Sequence, residues 1–228
     1  MTSSLARDQR LPGVVPVFPL PNVVLFPGTI VPLHVFEPRY RQMIVDSAAA
    51  DRVIGIALLE PGYDADYQGH PPFHPIGTVG RIDQLDRLPD GRFNMNVVGL
   101  HRVAYDEIPS SKPYRLTRLT RLPEKEVDDL CPEIVRAKRD LLVSQAMLLR
   151  ELKGDDDPTL IIDERLPFAL AVNGACANLP VASEVRQELL AIDCLVERHR
   201  RASRLIAGVL QSLLSMRGGE LADDARPS

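Results

Sequence analysis

Two carboxylates and two histidines lie close together in one short stretch of the sequence, "YDADYQGHPPFHPIG", residues 63–77. The four candidate ligands are Asp64, Asp66, His70 and His74. Carboxylate oxygens and imidazole nitrogens bind divalent metals, so a metal site is one hypothesis. Pro71 and Pro72 keep the two histidines off a helix, so their spacing of four residues does not place them on one face. The sequence favours a polar surface loop over a metal site.

A second polar group is the arginine repeat "YRLTRLTRL", residues 114–122, in which Arg115, Arg118 and Arg121 recur every three residues. Arginine clusters bind phosphate through paired N–H donors, so RNA or another phosphate ligand is the alternative. Neither a strand nor a helix has a period of three. The formal net charge of −4 opposes general attraction to nucleic acid, and no row of aromatic residues lies beside the arginines. We expect a last strand with solvated or paired arginines, and nucleic acid as an unlikely partner.

The sequence contains no recognisable catalytic motif. It has no Gly-x-Ser-x-Gly nucleophile motif and no Gly-Lys dipeptide from which a phosphate-binding loop is built. His34 and His101 lie in apolar, strand-like segments, and His199 lies among charged residues of a helical segment. These patterns predict a protein that is not an enzyme and that has neither a cofactor nor a bound metal.

The elements that must position these residues differ between the two halves of the chain. Of the 228 residues, 45% are hydrophobic and 25% are charged, which is typical of a soluble protein. Residues 1–123 contain 15 of the 20 prolines and ten of the eleven Phe and Tyr residues. Prolines and aromatic residues favour short strands and turns, whereas the Leu, Ala, Arg and Glu of the second half favour helices. We predict a β-rich module at residues 10–122, a helical bundle module at 130–216 and a mobile tail at 217–228.

Five prolines interrupt the apolar segment "VFPLPNVVLFPGTIVPLHVFEPRY", residues 17–40. They are Pro19, Pro21, Pro27, Pro32 and Pro38. Proline has no amide hydrogen and is confined to strand edges, strand starts and bulges. The segment therefore predicts short strands in a tightly curved, barrel-like module, with one short helix beginning at Pro38.

Turn and helix signals place most of the other elements. "PDG", residues 89–91, predicts a turn between two strands, because Pro fixes φ, Asp caps locally and Gly accepts a positive φ. Pro132 and Gly154 bound one long helix, and Pro167 begins a shorter one. Residues 183–216 predict either one helix or two.

The cysteines and the apolar runs indicate the compartment. Cys131, Cys176 and Cys194 have no paired spacing and indicate reduced thiols. No apolar run approaches the roughly 18 residues of a membrane span, and the N-terminus lacks the order of a secretion signal. We predict a cytoplasmic protein with no membrane partner.

Three blocks of the sequence together resemble a known family. They are "FPLPNVVLFPGTIVPLHVFEPRY", "GTVGRIDQLDRLPDGRFNMNVVGLHRV" and "LPVASEVRQELLAIDCLVERHRRASRLI". In this order they resemble the N-terminal domain of Lon-type ATP-dependent proteases, and the chain looks like a free-standing member of the Lon N-terminal-like (Lon substrate-binding) family. The resemblance extends from about Leu11 to Leu214. It implies an α+β fold, with an N-terminal PUA-like β pseudo-barrel containing one short helix, followed by a C-terminal α-helical bundle.

The residues that match the family pattern are mostly apolar or glycine, which specify shape, and we expect structural roles for them. They are Phe18, Pro19, Leu20, Phe26, Pro27, Gly28, Phe36, Glu37, Tyr40, Gly77, Thr78, Val79, Gly91, Gly99 and Arg102.

The resemblance implies binding rather than catalysis. Full-length Lon proteases add an ATPase module and a Ser–Lys peptidase module, for which we expect no room after Leu214. We predict a non-enzymatic protein that binds polypeptide segments or a protein partner through an apolar groove or an exposed sheet edge. We expect the site on the apolar surface where the two modules meet. The alternative is a PUA-like protein that binds nucleic acid or a small ligand.

Overall fold

The computed structural model of the chain describes residues 11–67, 69–125, 127–153 and 163–224. These residues divide into two compact units. The first unit contains the chain up to Pro123 together with Val181–Asp193, and the second contains Glu124–Pro180 together with the chain from Cys194 onward.

The strands of the described residues all belong to the first unit. They are β1 (Val14–Leu20), β2 (Ile30–Val35), β3 (Val53–Leu58), β4 (Ile76–Arg87), β5 (Phe93–Ile108) and β6 (Arg115–Arg121). The helices are α1 (Pro38–Ala48), α2 (Pro132–Lys153), α3 (Phe168–Ala177), α4 (Ser183–Ala191) and α5 (Leu195–Asp224), with a 3₁₀ turn at Tyr63–Asp66.

The sheet closes on itself. Its order is β2-β5-β4-β3-β1-β6, and an additional pairing joins β5 to β6. The long β5 therefore pairs with β4 along one edge, and with β2 (through residues 93–98) and β6 (through 103–108) along the other. Five strands form a ring, β2 extends from it, and β1–β3 is the parallel pair. The predicted α+β fold with a β pseudo-barrel and a helical part is confirmed.

The stagger of the strands explains how β1 accommodates Pro16 and Pro19. We expected prolines to avoid strands with neighbours on both sides, yet β1 lies between β3 and β6. Pro16 pairs with β6 at a point that β3 does not reach, and Pro19 pairs with β3 beyond the end of β6. Because each proline has one neighbouring strand, each can direct its nitrogen, which has no hydrogen, to the open side. The expectation that prolines avoid a strand with two neighbours was therefore wrong for β1, which pairs with both β3 and β6.

Two apolar clusters lie on the two faces of this sheet. The inner cluster lies inside the ring and consists of Val15, Val17, Val53, Ala57, Val79, Val103 and Tyr105. The outer cluster lies between the sheet and α1 and consists of Phe18, Leu25, Val35, Tyr40, Met43, Ile44, Ile54, Ile56, Ile82, Phe93, Met95, Val97 and Tyr114. Alternate residues of β1 and β3 supply the two clusters, as the pleat of a strand requires. Strand β5 supplies the outer cluster from residues 93–97 and the inner cluster from residues 103–105, because a register shift between these two parts changes the face.

Two local predictions for the first unit are confirmed. The turn at residues 89–91 joins β4 to β5, with Gly91 at φ +81° and the Arg92 amide donating to Asp90. Helix α1 begins at Pro38, as predicted, and buries Tyr40 and Ile44.

The second unit is formed by α2, α3 and α5. In α2, apolar residues recur every seven positions in two rows, Ile134-Leu141-Leu148 and Val135-Leu142-Leu149, which together predict a buried stripe. Leu141 and Leu148 of the first row are buried, whereas Val135 of the second is 44% exposed. A second feature is the fully buried Arg198, whose guanidinium donates to the Glu124 carboxylate and to the Asn173 side-chain oxygen. No helix among the described residues meets the length and apolarity that a membrane span requires.

Residues 183–216, for which the sequence predicted either one helix or two, contain two helices, α4 and the first part of α5. Helix α4 lies within the range predicted for the helical module, but it belongs to the first unit and contacts β4. Helix α5 continues to Asp224, through part of the range predicted as a tail, 217–228. The sequence also predicts an acidic connector at Asp155–Asp157, after α2, and these residues lie outside the described ones.

Candidate functional site

Several residues of the family pattern build one tight turn before β2. Gly28 has φ +77°, and its amide donates to the Gly99 carbonyl at 2.9 Å. The Thr29 hydroxyl donates to the carbonyl of the buried Phe26, which precedes Pro27. A Cβ on Gly99 would lie 2.2 Å from the Phe26 carbonyl oxygen. The glycines therefore allow two backbone segments to approach each other, which is a structural role.

A second set of family residues lies at the start of α1. Glu37 is the N-cap residue of α1, and its carboxylate accepts hydrogen bonds from Arg39 and the Tyr67 hydroxyl. The Tyr40 ring contacts the Phe18 ring, with centroids 4.4 Å apart, and burial raises the pKa of Tyr40 to about 12. These contacts fix α1 and the following loop in place.

Pro19, Leu20 and Thr78 also have structural positions. Pro19 pairs with Ala57, and the Leu20 carbonyl accepts from the Leu59 amide at 2.9 Å. The buried Thr78 hydroxyl donates to the Leu25 carbonyl.

Arg102 attaches α4 to the barrel within the first unit. Its side chain is fully buried, and it donates from Nε to the Leu190 carbonyl at 2.7 Å and from Nη2 to the Ala191 carbonyl at 3.1 Å. Nη2 also lies 2.9 Å from Oδ1 of Asp193. The last carbonyls of a helix have no partners within the helix, and a cation there also complements the helix dipole. Arg102 therefore acts as the C-terminal cap of α4.

The structure does not bring the four candidate metal ligands together. Asp66 accepts a hydrogen bond from the His70 amide at 3.3 Å, and the His74 amide donates to the Leu58 carbonyl at 2.9 Å. Asp64 lies on the exposed side of the 3₁₀ turn. Within the part of the chain that the structure describes, no three His, Cys, Asp or Glu side chains are placed to share a metal ion.

The three arginines of β6 are likewise separated. Because successive side chains of a strand alternate, Arg115 and Arg121 project to one side and Arg118 to the other. The Arg115 guanidinium donates two hydrogen bonds to the Glu107 carboxylate in a bidentate ion pair. Arg118 pairs with Asp106 at 3.0 Å. Two of the three cations already have acidic partners, so the repeat does not form a phosphate site.

Ser203 lies near a histidine in the second unit, but the geometry does not activate it. Its hydroxyl is 3.4 Å from Nε2 of His199, and the same Nε2 lies 3.1 Å from the Ala137 carbonyl. A carbonyl can only accept, so Nε2 carries the hydrogen and cannot take the proton of Ser203. The pair therefore lacks the arrangement of a nucleophile and its base.

The outward face of β2 has different properties, because it exposes apolar side chains at a sheet edge. Ile30 is 60% exposed, and Phe36, directly after the strand, is 59% exposed. The Phe36 ring stacks on His34, with ring centroids 6.2 Å apart. On the other face of β2, Val35 packs into the outer cluster. Exposed apolar groups at an edge are features that proteins generally avoid unless the surface binds something.

Polar side chains continue this face across β5 and β4. The register places His34 opposite Asn94, and Asn94 opposite Asp86. One row further along the sheet, the Asn96 amide donates to the Gln84 oxygen at 2.7 Å. We use the name β2 surface for the outward face formed by Ile30, Pro32, His34, Phe36, Gln84, Asp86, Asn94 and Asn96.

The backbone of β2 is open on one side. β2 is the first strand of the sheet order and pairs with β5. Pro32 must direct its nitrogen away from β5, since proline has no hydrogen to donate to a neighbouring strand. Alternate residues share this orientation, so Ile30 and His34 also direct their amides and carbonyls to the open edge. An extended peptide can pair with this edge, with one donor missing at Pro32.

The sequence identified Phe36 through the family resemblance but did not identify Ile30 or the polar row. In "IVPLHVF", residues 30–36, both faces of the strand are largely apolar, so alternation does not show which face is exposed. The proline in this strand was the one local signal of an edge.

The family model described as the ATP-dependent protease La (LON) substrate-binding domain matches residues 14–208 of the chain. A Lon protease from Flavobacterium johnsoniae is 27% identical over 208 residues, which cover 91% of this chain and 25% of that protein. A Lon protease from Trichlorobacter lovleyi is 30% identical over 205 residues, which cover 88% of this chain and 24% of that protein. The chain spans about a quarter of the length of these curated relatives.

Two solved structures are similar to the chain. The crystal structure of a Lon N-terminal domain protein from Xanthomonas campestris has a TM-score of 0.59 at 25% identity, covering 85% of this chain and 97% of that one. The N-terminal domain of a Mycobacterium avium complex Lon protease has a TM-score of 0.64 at 20% identity, covering 85% of this chain and 98% of that one. The second likeness, at this low identity, concerns the fold alone.

Proposed function

The chain belongs to the family of the ATP-dependent protease La (LON) substrate-binding domain, and we propose that it binds extended polypeptide segments at the β2 surface without acting on them chemically. The observation that carries this proposal is the open edge of β2 with two exposed apolar side chains beside it, Ile30 and Phe36. Whether or not other modules accompany it, binding is the step that we assign to this segment.

The physical mode that we propose is strand addition. The backbone amides and carbonyls of Ile30 and His34 would pair with the backbone of the peptide, which makes binding tolerant of sequence. Alternate side chains of the peptide would then lie over Ile30 and Phe36. Their burial supplies the hydrophobic part of the affinity, at about 25 cal/mol per Å² of apolar area removed from water.

The free thiols of Cys131, Cys176 and Cys194 are compatible with the cytoplasm, which stays our predicted compartment. The nucleic-acid alternative has no observation in its favour, since Arg115 and Arg118 are already paired with acids. In the described part of the 63–77 loop, no three candidate ligands are placed to share a metal ion.

The experiment is a fluorescence-anisotropy titration of the chain with a labelled, permanently unfolded polypeptide. Phe36→Ala and Ile30→Thr should each weaken binding by about tenfold, because each removes roughly one buried apolar side chain. Val45→Thr is the matched control, since Val45 is 49% exposed on α1 of the same unit and is not one of the residues of the β2 surface. The amides of Ile30 and His34 should also exchange more slowly with solvent in the complex. Equal losses in all three variants, or no saturable binding, would contradict the proposal.

A further inference from the structure

The outward side chains of β2 follow one another along the open edge in a fixed order. Exposed and covered positions alternate from Ile30 to Val35, and Phe36 continues the exposed set. The covered positions face the outer cluster. The exposed residues are Ile30, Pro32, His34 and Phe36, so the two large apolar side chains lie at the two ends.

Phe36 keeps the spacing of the strand, although it follows the last residue of β2 that pairs with β5. Its ring lies beside the His34 ring, with 6.2 Å between the centroids and 27° between the ring planes. Residues two positions apart on one face of a strand are about 6.6 Å apart. The Phe36 ring therefore projects from its own position and does not fold back over His34. Ile30 and Phe36 are six positions apart in the sequence, which is about 20 Å of extended chain.

The middle of the edge offers little apolar area to a peptide. Arg92 lies 3.2 Å from Nε2 of His34, and a guanidinium can only donate, so Nε2 accepts and Nδ1 carries the hydrogen. Nδ1 then donates to the Asn94 oxygen at 2.7 Å, so both nitrogens of the ring are already hydrogen-bonded. Pro32 is apolar, but its ring is small. Large apolar contacts are therefore concentrated at Ile30 and Phe36.

Pro32 also makes a free peptide a better partner for this edge than a second copy of β2. When a peptide pairs with β2, the one peptide carbonyl that faces the Pro32 nitrogen finds no donor. When two copies of β2 pair with each other, each contributes its own Pro32, so two carbonyls are left without donors. Because each backbone hydrogen bond that is not made costs free energy, the edge favours a peptide that has no proline of its own at the paired positions.

We propose that the β2 edge prefers extended segments with two large apolar residues six positions apart, at i and i+6; this inference rests on the proposed function. Side chains of a paired strand alternate between the two faces of the sheet, so residues i and i+6 lie on the same face. When one of them is beside Ile30, the other is beside Phe36, whichever direction the peptide runs. The five residues between them can be polar, because they lie beside Pro32 and His34 or on the other face.

Three labelled peptides in a polar, proline-free background test this spacing. One carries leucines at i and i+6, the second has the same composition with leucines at i and i+5, and the third carries a single leucine. In the second peptide the two leucines point to opposite faces, so only one of them can lie over Ile30 or Phe36. In fluorescence-anisotropy titrations, the unmodified chain should bind the i, i+6 peptide about fivefold to tenfold more tightly than either of the others.

Variants of Phe36 connect this preference to the β2 edge. Phe36→Ala should bind the i, i+6 and i, i+5 peptides with nearly equal affinity, because one of the two contact points is lost. Phe36→Leu keeps a large apolar side chain and should retain the preference. Val45→Thr should retain it as well, since Val45 is an exposed apolar residue of α1 that is not part of the β2 surface.

The outcomes separate the two proposals. If the unmodified chain binds the i, i+5 peptide as tightly as the i, i+6 peptide, the spacing preference is wrong while polypeptide binding stands. The same conclusion follows if Val45→Thr removes the preference as fully as Phe36→Ala, or if the unfolded polypeptide binds and none of the three peptides does. If neither the unfolded polypeptide nor any peptide binds the unmodified chain, the proposed function itself fails.

Discussion

The Tyr105 ring lies directly against Gly77 inside the barrel, so that a Cβ on Gly77 would be 2.4 Å from Cε2 of Tyr105. The hydroxyl of Tyr105 lies within hydrogen-bonding distance of the Ile56 and Thr78 carbonyls. The ring thus fills the space above a glycine, and the single hydrogen of its hydroxyl can go to a carbonyl of β3 or of β4. Burial raises the pKa of Tyr105, so it stays a neutral donor.

This contact predicts that Gly77→Ala destabilises the first unit. The added methyl would also lie 2.5 Å from the Ile56 carbonyl oxygen, so the backbone must shift. Overpacking of this kind costs about 1–3 kcal/mol in the free energy of unfolding. Urea unfolding of Gly77→Ala measures it. Gly13→Ala is the control, because a Cβ on Gly13 meets no atom within 4 Å. Equal stability of the two variants would contradict the close contact.

The buried guanidinium of Arg102 predicts a different kind of loss. Arg102→Met keeps the volume but leaves the Leu190 and Ala191 carbonyls without their donors. We expect the free energy of unfolding to fall by about 2–4 kcal/mol, and the amides of α4 to exchange faster with solvent. Arg118→Met is the control: Arg118 is 63% exposed, so its loss should cost under about 1 kcal/mol. Unchanged exchange in α4 would show that Arg102 does not hold this helix.

Arg102 also shows why part of the fold could not be predicted from sequence. Local signals were sufficient for the β4–β5 turn and for the start of α1, because Pro, Asp and Gly act on their own backbone. Arg102 and Leu190 are 88 residues apart, and periodicity reports only that a helix has an apolar face, without naming its partner. The assignment of α4 to the first unit therefore could not be predicted, because it rests on a long-range contact that no local sequence pattern shows.

The sequence predicted the type of candidate site, but it did not predict which residues form that site. An exposed sheet edge was among the binding modes predicted, and Pro32 indicated an edge. Spacing along the chain did not show that Asp86, Asn94 and His34 form one row, because the row is set by the register of three strands. The site expected where the two modules meet stays a prediction.

Asp46 predicts a pH-dependent contribution to stability. Its carboxylate accepts hydrogen bonds from Lys112, Tyr114 and Gln42, which lower the pKa of Asp46 to about 2 from its usual 3.8. Because the folded value is the lower one, this stabilisation is fully present above about pH 4 and is lost as pH falls towards about 2. Asp46→Asn should lower the free energy of unfolding by about 1–2 kcal/mol at neutral pH. Urea unfolding of both proteins between pH 7 and pH 2 should show this difference shrinking; a constant difference would contradict the pKa.

His199 predicts a pH dependence at a higher pH, in the second unit. Burial is the main cause that lowers the pKa of His199 below its usual 6.5; Arg200 lowers it further, whereas the Ala137 carbonyl and Asp140 oppose the shift. The ring also packs on Phe168. Since the unfolded chain takes up the proton at a higher pH than the folded chain, the free energy of unfolding should fall as pH drops below about 6.5, and stop falling below the folded value.

His199→Gln removes this titration and keeps a side-chain N–H that can donate to the Ala137 carbonyl. The free energy of unfolding, measured in urea at about pH 7.5 and pH 5.5, should fall less in this variant than in the unmodified chain. The exposed His70 provides the control, since His70→Gln should leave the full decrease in place. If His199→Gln shows the same decrease as the unmodified chain, His199 takes up its proton equally in the folded and unfolded states. Its packing against Phe168 then does not depend on the neutral ring.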